Sequence, residues 1–123
     1  MQNDTAPTDE ACSDPNRCPV EVTLSAIGGK WKALILYHVI RGPRRFNEMR
    51  RLMPSVTQRM LTQHLRELEA DGILHRDVRE QVPPHVEYSL TDKGRTLVPI
   101  LDAMAAWGYE NGARMEGEAA ATV

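Results

Sequence analysis

Between Pro54 and Gly72 the apolar positions recur at helical spacing. With about 100° per residue, Leu61, Leu65 and Leu68 fall in one narrow sector, while Arg59, Gln63 and Arg66 point nearly opposite and Thr62 lies at the margin. This predicts an amphipathic helix over Thr57 to Asp71, capped by Thr57 and ended by Gly72 in the left-handed conformation. Its outer side chains suit base edges and phosphates, although a polar outer face is also the default for a surface helix. Upstream, PVEVTLSAIGG sets Val20, Leu24 and Ile27 at helical spacing, with Pro19 suited to a first helical position and Gly28-Gly29 as a stop. In KWKALILYHVIRG the apolar residues Trp31, Leu34, Ile35, Tyr37, Val39 and Ile40 cover so much of the circumference that a central, most buried helix is expected, ended by Gly42-Pro43. The unit RRFNEMRRLMP predicts a short helix capped by Asn47. It would turn Met49, Leu52 and Met53 inward and Arg50 and Arg51 outward, and Pro54 would close it.

After Gly72 the period changes from helical to alternating. Leu74 and Val78 alternate with polar residues, and Val86, Tyr88 and Leu90 do the same, on either side of Gln81-Val82-Pro83-Pro84, which is too rich in proline to continue a strand. A β-hairpin is therefore expected directly behind the Thr57 helix. Thr91-Asp92 opens a last helix with an apolar stripe of Leu97, Ile100, Leu101, Met104 and Trp107, and Pro99 within it predicts a kink or break. The order of helix, helix, short helix, outward-reading helix, hairpin and helix is that of a winged helix-turn-helix. The expected fold is mainly α with a small β-hairpin wing. Residues 1–17 lack any apolar period and read as a mobile arm, 18–111 as the winged-helix domain with its carboxy-terminal helix, and 112–123 as a frayed tail.

The chain has 123 residues, enough for one domain with a core. No apolar run approaches the roughly 20 residues that span a bilayer, and the acidic start resembles no signal peptide, so a cytoplasmic protein without a membrane partner is expected. The net charge of −2 conceals segregation. From Gly28 to Arg79 there are eleven Lys or Arg against five acids, which is +6, and the remainder has four against twelve, which is −8. Phosphate contact needs clustered cations rather than a basic chain overall, so the basic centre favours a local nucleic-acid patch over a merely uneven surface. The expected contacts are Thr57, Gln58, Arg59, Thr62, Gln63 and Arg66 on the reading helix. Lys30, Arg44 and Arg45 at element starts suit phosphate, and Arg76, Arg79 and His85 would lie on the wing. No Gly-rich phosphate loop, nucleophile with a placed base or carboxylate cluster points to an enzyme, and neither a cofactor nor a metal site is expected.

The wording of residues 18 to 108 closely resembles the HxlR-type family of bacterial winged-helix transcription regulators. The resemblance rests on Cys18-Pro19-Val20, Gly29-Lys30-Trp31, Arg45-Phe46-Asn47-Glu48, the block Gln58 to Gly72, and Val86-Glu87-Tyr88-Ser89-Leu90-Thr91 followed by Gly94. Ser55-Val56 departs from it, standing where many relatives have glycine and an apolar residue. The family implies a homodimer on a partly palindromic double-stranded DNA operator, with dimer contacts from the first and last helices. Those contacts would fall here on Val20, Leu24, Leu101, Met104 and Trp107. An apolar stripe longer than one small domain can cover points independently to a partner.

Of the two cysteines, Cys18 follows Arg17 and precedes a helix start, and both the cation and the helix dipole favour its thiolate. The family resemblance implies that a cysteine at this position senses oxidants or small electrophiles. Cys12 lies in the arm, where it would resolve an oxidised Cys18, pair across a dimer or be incidental. Two alternatives stay open: a regulator answering a small molecule without a thiol switch, and a winged-helix module that binds protein.

Overall fold

The computed structural model describes residues 18–113. The expected arm, and all of the expected tail beyond Ala113, lie outside the described residues. Helix α1 (Pro19–Ile27) starts with Pro19 in its first turn. Helix α2 (Trp31–Val39) follows and then strand β1 (Arg44–Arg45), helix α3 (Phe46–Leu52) and helix α4 (Gln58–Ala70). Strands β2 (Leu74–Arg79) and β3 (His85–Leu90) form the hairpin, and α5 (Asp92–Arg95) and α6 (Val98–Gly108) complete the chain, with a π-helical turn at Tyr109–Ala113. The order is that of a winged helix-turn-helix, mainly helical with one small antiparallel sheet.

Helix α2 is central. It packs on α1, α4, β3 and α6, and buries Ile35, Leu36 and Val39. Trp31, Tyr37 and Ile40 are only half-buried and Leu34 is exposed, so its apolar circumference exceeds what the described chain covers. The helix also ends at Val39, before the Gly42-Pro43 pair that was expected to stop it.

Helix α4 delivers its apolar spine to the core, with Leu61, Leu65 and Leu68 all buried. Both ends are closed as the residues dictate. Thr57 Oγ1 accepts from Met60 N at 3.1 Å, satisfying one of the donors a helix start leaves orphaned. At the other end Gly72 takes φ 76°, its N–H donates to Glu69 O at 3.0 Å, and Ile73 N–H donates to Leu68 O at 2.9 Å. That pair of bonds is a Schellman cap, with the buried Ile73 and Leu68 side chains at its closure.

Two expectations are corrected, for the cap of α3 and for Leu52; the break expected around Pro99 falls just before it, and the expected hairpin gains a third strand. The cap of α3 is Arg45, whose N–H donates to Glu48 Oε1 at 2.8 Å, and Asn47 lies inside the helix, because the reach-back carboxylate selects the residue three before it. Leu52 is exposed rather than inward, leaving Met49 and Met53 to carry the buried face. The last helix is two helices: proline cannot continue one without clashing with the carbonyl four residues back, here Arg95. The chain instead turns at Thr96-Leu97 and restarts with Pro99 in the first turn of α6. Finally, the sheet has three strands, in the order β1-β3-β2, with Arg44 opposite Tyr88 and Arg45 opposite Glu87. The turn at Pro54-Ser55-Val56 is intact despite its departure from the family pattern, with Val56 N–H bonded to Met53 O at 3.1 Å and its side chain buried.

Candidate nucleic-acid interface

With one side of α4 locked into the core, the other side is left to solvent. Gln58, Arg59, Thr62, Gln63 and Arg66 line one shallow hollow of about 520 Å³ along it. Five of the expected contact residues are thus gathered on one surface, and Thr57 stands at its start as the cap. None of the ion pairs among the described residues involves Arg59 or Arg66. Their guanidiniums remain available to phosphate or to a guanine edge.

Around this face are residues that sequence reasoning missed. Arg50 Nη1 donates to Gln58 Oε1 at 3.4 Å, linking α3 to the start of α4. Gln63 Nε2 donates to Glu67 Oε2 at 3.3 Å, and Lys32 Nζ on α2 lies 2.8 Å from Glu67 Oε1. The hydrogen bond from Lys32, then that from Gln63, and then the Lys32 charge hold the Glu67 carboxyl below its ordinary range. His64 Nδ1, buried and without a hydrogen bond, lies 3.7 Å from Glu67 Oε1. The i, i+4 spacing of Gln63 and Glu67 was readable in the sequence, but the link to Lys32 was not.

The outlying cations divide into two groups. Lys30 is exposed at the start of α2, with Nζ 4.9 Å from the Trp31 ring centroid, and Arg45 is exposed at the cap of α3. Arg44 is half-buried and spends its Nε on His38 O at 3.0 Å, so it serves the packing of β1 on α2 as well as any outside partner. Burial and the charges of Arg44 and Arg41 hold the His38 imidazole below its usual range.

On the wing, Asp77 lies directly opposite Glu87, and Arg79 and His85 stand beside this acid pair. Arg79 Nε is 3.4 Å from Asp77 Oδ2 and its Nη2 4.0 Å from Glu87 Oε1. His85 Nε2 lies 2.9 Å from Glu87 Oε2, without hydrogen-bond alignment, and is largely buried. Arg76 alone among the three wing candidates has no acid partner among the described residues.

Of the residues expected at a subunit contact, Val20, Leu24, Met104 and Trp107 are exposed, Trp107 at 69 %. Leu101 is different: at 2 % exposure it belongs to the chain's own core and has no surface to offer a partner. Both helices that carry the exposed residues pack on α2. Cys18 caps α1 and is buried, with its carbonyl accepting from Val22 N–H at 3.1 Å. Among the described residues no cluster of acidic, histidine or cysteine side chains is arranged to hold a metal ion, and no helix is long and apolar enough to cross a membrane.

This arrangement has known counterparts. The model of the HxlR-like helix-turn-helix family matches residues 26–116. The Bacillus subtilis (strain 168) HTH-type transcriptional regulator YybR is 65 % identical over 99 residues, covering 79 % of this chain and 79 % of its own. The redox regulator HypR superposes in its oxidized form with a TM-score of 0.75 at 66 % identity, covering 76 % of this chain and 97 % of HypR. Its reduced form gives 0.76 at 63 % identity, covering 80 % and 98 %. With a family match over most of its length, and with α4 held by its core face and presenting a polar outer one, the chain belongs to the HxlR-like helix-turn-helix family of transcriptional regulators.

Proposed function

We propose that this regulator acts in the cytoplasm as a homodimeric repressor on a partly palindromic operator, that α4 reads the major groove, and that thiol chemistry at Cys18 switches it. The observation that carries the DNA reading is the hollow on α4, where Gln58, Arg59, Thr62, Gln63 and Arg66 converge on a face whose reverse side is fixed in the core. In two-fold symmetry two such helices address half-sites about one DNA turn apart, roughly 34 Å, or a multiple of it. Exposed apolar residues on α1 and α6 support the pairing of two copies, since water-exposed Val20, Leu24, Met104 and Trp107 are otherwise costly. Lys30, Arg45 and Arg76 would follow the DNA backbone, while Arg44, Arg79 and His85 are already partly engaged within the fold.

The thiol reading rests on the place of Cys18 and on HypR, a redox regulator solved in both oxidized and reduced forms. A buried thiol at the cap of α1 cannot be derivatised without disturbing that helix. Since α1 packs on α2, and α2 on α4, a change at Cys18 reaches the spacing of the reading heads through packed elements. An oxidant such as diamide would take two electrons and two protons from two thiols as they join in a disulfide, the second thiol being Cys12 or a partner's cysteine.

Selection of bound duplex from a random pool, with reduced and diamide-treated protein, tests both parts. The expected result is a two-fold related site whose occupancy changes on oxidation, and a Cys18→Ser variant that binds normally when reduced but ignores diamide. An unaltered diamide response in Cys18→Ser removes Cys18 as the switch. Absence of any enriched sequence removes the operator reading.

A further inference from the structure

The reading face contains one side chain whose orientation is set from outside its own helix. Gln63 lies one turn before Glu67 on α4, on the same face. An exposed pair at this spacing is ordinarily weak, because both side chains remain free to rotate. Here Glu67 is not free: Oε1 is 2.8 Å from Lys32 Nζ, and the Lys32 side chain is only 14 % exposed on α2. The carboxylate is thereby tied to the central helix, and its other oxygen accepts from Gln63 Nε2 at 3.3 Å.

A carboxylate can only accept. With Glu67 ionised, the Gln63 amide must turn its NH₂ toward Glu67 and its carbonyl oxygen away from it. This decides the amide orientation chemically. One N–H is committed, and the outward edge offers an acceptor together with one remaining donor.

We infer that Glu67, anchored by Lys32, is a positioning residue that presents Gln63 Oε1 to the DNA and so selects a base bearing an exocyclic amino donor in the major groove. Adenine, with its N6 amino donor and N7 acceptor, matches both outward groups, and cytosine matches the acceptor through its N4 amino group. Guanine offers N7 and O6, two acceptors, and would require both N–H groups of Gln63, one of which Glu67 holds. Thymine presents only O4 and a methyl group. The inference rests on the proposed entry of α4 into the major groove, and it adds which base chemistry one position of that helix accepts.

Base preferences measured by selection and by competition with single-substituted duplexes test this, using the wild type, Gln63→Ala, Glu67→Ala and Lys32→Met. In the wild type, one position of each half-site prefers adenine or cytosine over guanine and thymine by about five-fold or more. Gln63→Ala brings that position close to parity. Glu67→Ala does the same while preferences elsewhere in the half-site are unchanged, and Lys32→Met moves the same position in the same direction. Thermal unfolding of each variant separates this signature from loss of fold, which would weaken all positions together. If Gln63→Ala flattens one position and Glu67→Ala leaves it intact, positioning by Glu67 is overturned while the DNA reading stands. A uniform loss across all positions in Glu67→Ala with a lowered melting temperature also overturns it. If Gln63→Ala alters no position, Gln63 reads no base and the inference falls, while the reading of the helix stands or falls separately with Arg59→Ala and Arg66→Ala.

Discussion

Replacing Gly94 with alanine should destabilise the protein by several kcal/mol, although the exchange adds a single methyl group to a helical residue. Gly94 is buried in α5, at the point where that short helix crosses the start of β2. A Cβ there would stand 2.3 Å from the backbone oxygen of Ile73 and 3.1 Å from Leu90 Cδ2. Ordinary C···O contacts begin near 3.3 Å, so one backbone must retreat by about 1 Å. Neither can do so freely. Ile73 O accepts from Thr91 N at 3.0 Å and from Thr91 Oγ1 at 3.1 Å, while Thr91 Oγ1 also accepts from Gly94 N at 3.0 Å. On the other side Ile73 N closes the Schellman cap of α4. Losing two or three of these bonds costs about 1 kcal/mol each, and the forced fit adds about 1–3 kcal/mol. The better helix propensity of alanine returns about 1 kcal/mol, leaving a net loss of about 2–5 kcal/mol. For a domain of this size that corresponds to a melting temperature lower by on the order of 8–40 °C. Circular dichroism melts of Gly94→Ala against Gly108→Ala provide the assay, because a Cβ at Gly108 meets nothing within 4 Å. Melting of Gly94→Ala within about 2 °C of wild type would refute the steric argument, as would an equal fall in both variants.

Removing the cap of the reading helix with Thr57→Ala should cost about 1 kcal/mol, or roughly 4–8 °C in melting temperature, and a melt unchanged from wild type would show that the bond to Met60 N is dispensable. Arg59→Ala and Arg66→Ala should each weaken operator binding by about 1–3 kcal/mol if they reach bases, whereas Arg79→Ala, already paired with Asp77, should change it far less; titration by fluorescence anisotropy ranks the three, and a larger effect at Arg79 would reverse the assignment. His38 supplies a pH dependence. Its folded imidazole is held below the ordinary range, so its contribution to stability is full above about pH 6.5 and is lost as pH falls from there through the lower folded value. His38→Gln should flatten the decline in melting temperature between about pH 7.5 and 5.5, and an identical decline in the variant would assign it to another group.

The elements that were legible in the sequence are those whose stability is local. Helix α4 declares itself by the spacing of Leu61, Leu65 and Leu68, by Thr57 at one end and by Gly72 at the other, and all five residues act as their chemistry predicts. What was not legible depends on pairing at a distance. Strand β1 is two arginines, too short and too polar for any alternation, and it is a strand only because β3 lies beside it. The cap of α3 passed from Asn47 to Arg45 because a backbone N–H bonded by Glu48 outweighs side-chain preference. Leu52 lies outside where periodicity set it inward, and Leu101 lies in the core where the family resemblance implied a subunit contact, since helical spacing identifies an apolar face without saying how much of it neighbouring elements reach. Thr91 and Gly94 stood in a run that carries the family resemblance, but the crossing at Ile73 O that requires them was not legible.

The same distinction separates the cations that can read DNA from those that cannot do so freely. A basic centre of +6 suggests that every arginine within it is a candidate, yet phosphate contact depends on the charge left after internal pairing. On the wing the hairpin register sets Asp77 against Glu87, and two like charges facing each other across strands need a cation between them. Arg79 meets that need and is thereby less available to a phosphate. On α4 the register of the helix does the opposite. The acids of its outer half are Glu67, tied to Lys32, and Glu69, two residues further on, so neither neutralises Arg59. Arg66 points outward beside the tied carboxylate without an ion pair to it. The positive surface that DNA would meet is therefore narrower than the basic segment, and it is centred on α4, where the charges left over stand beside Gln63 and the hollow it lines.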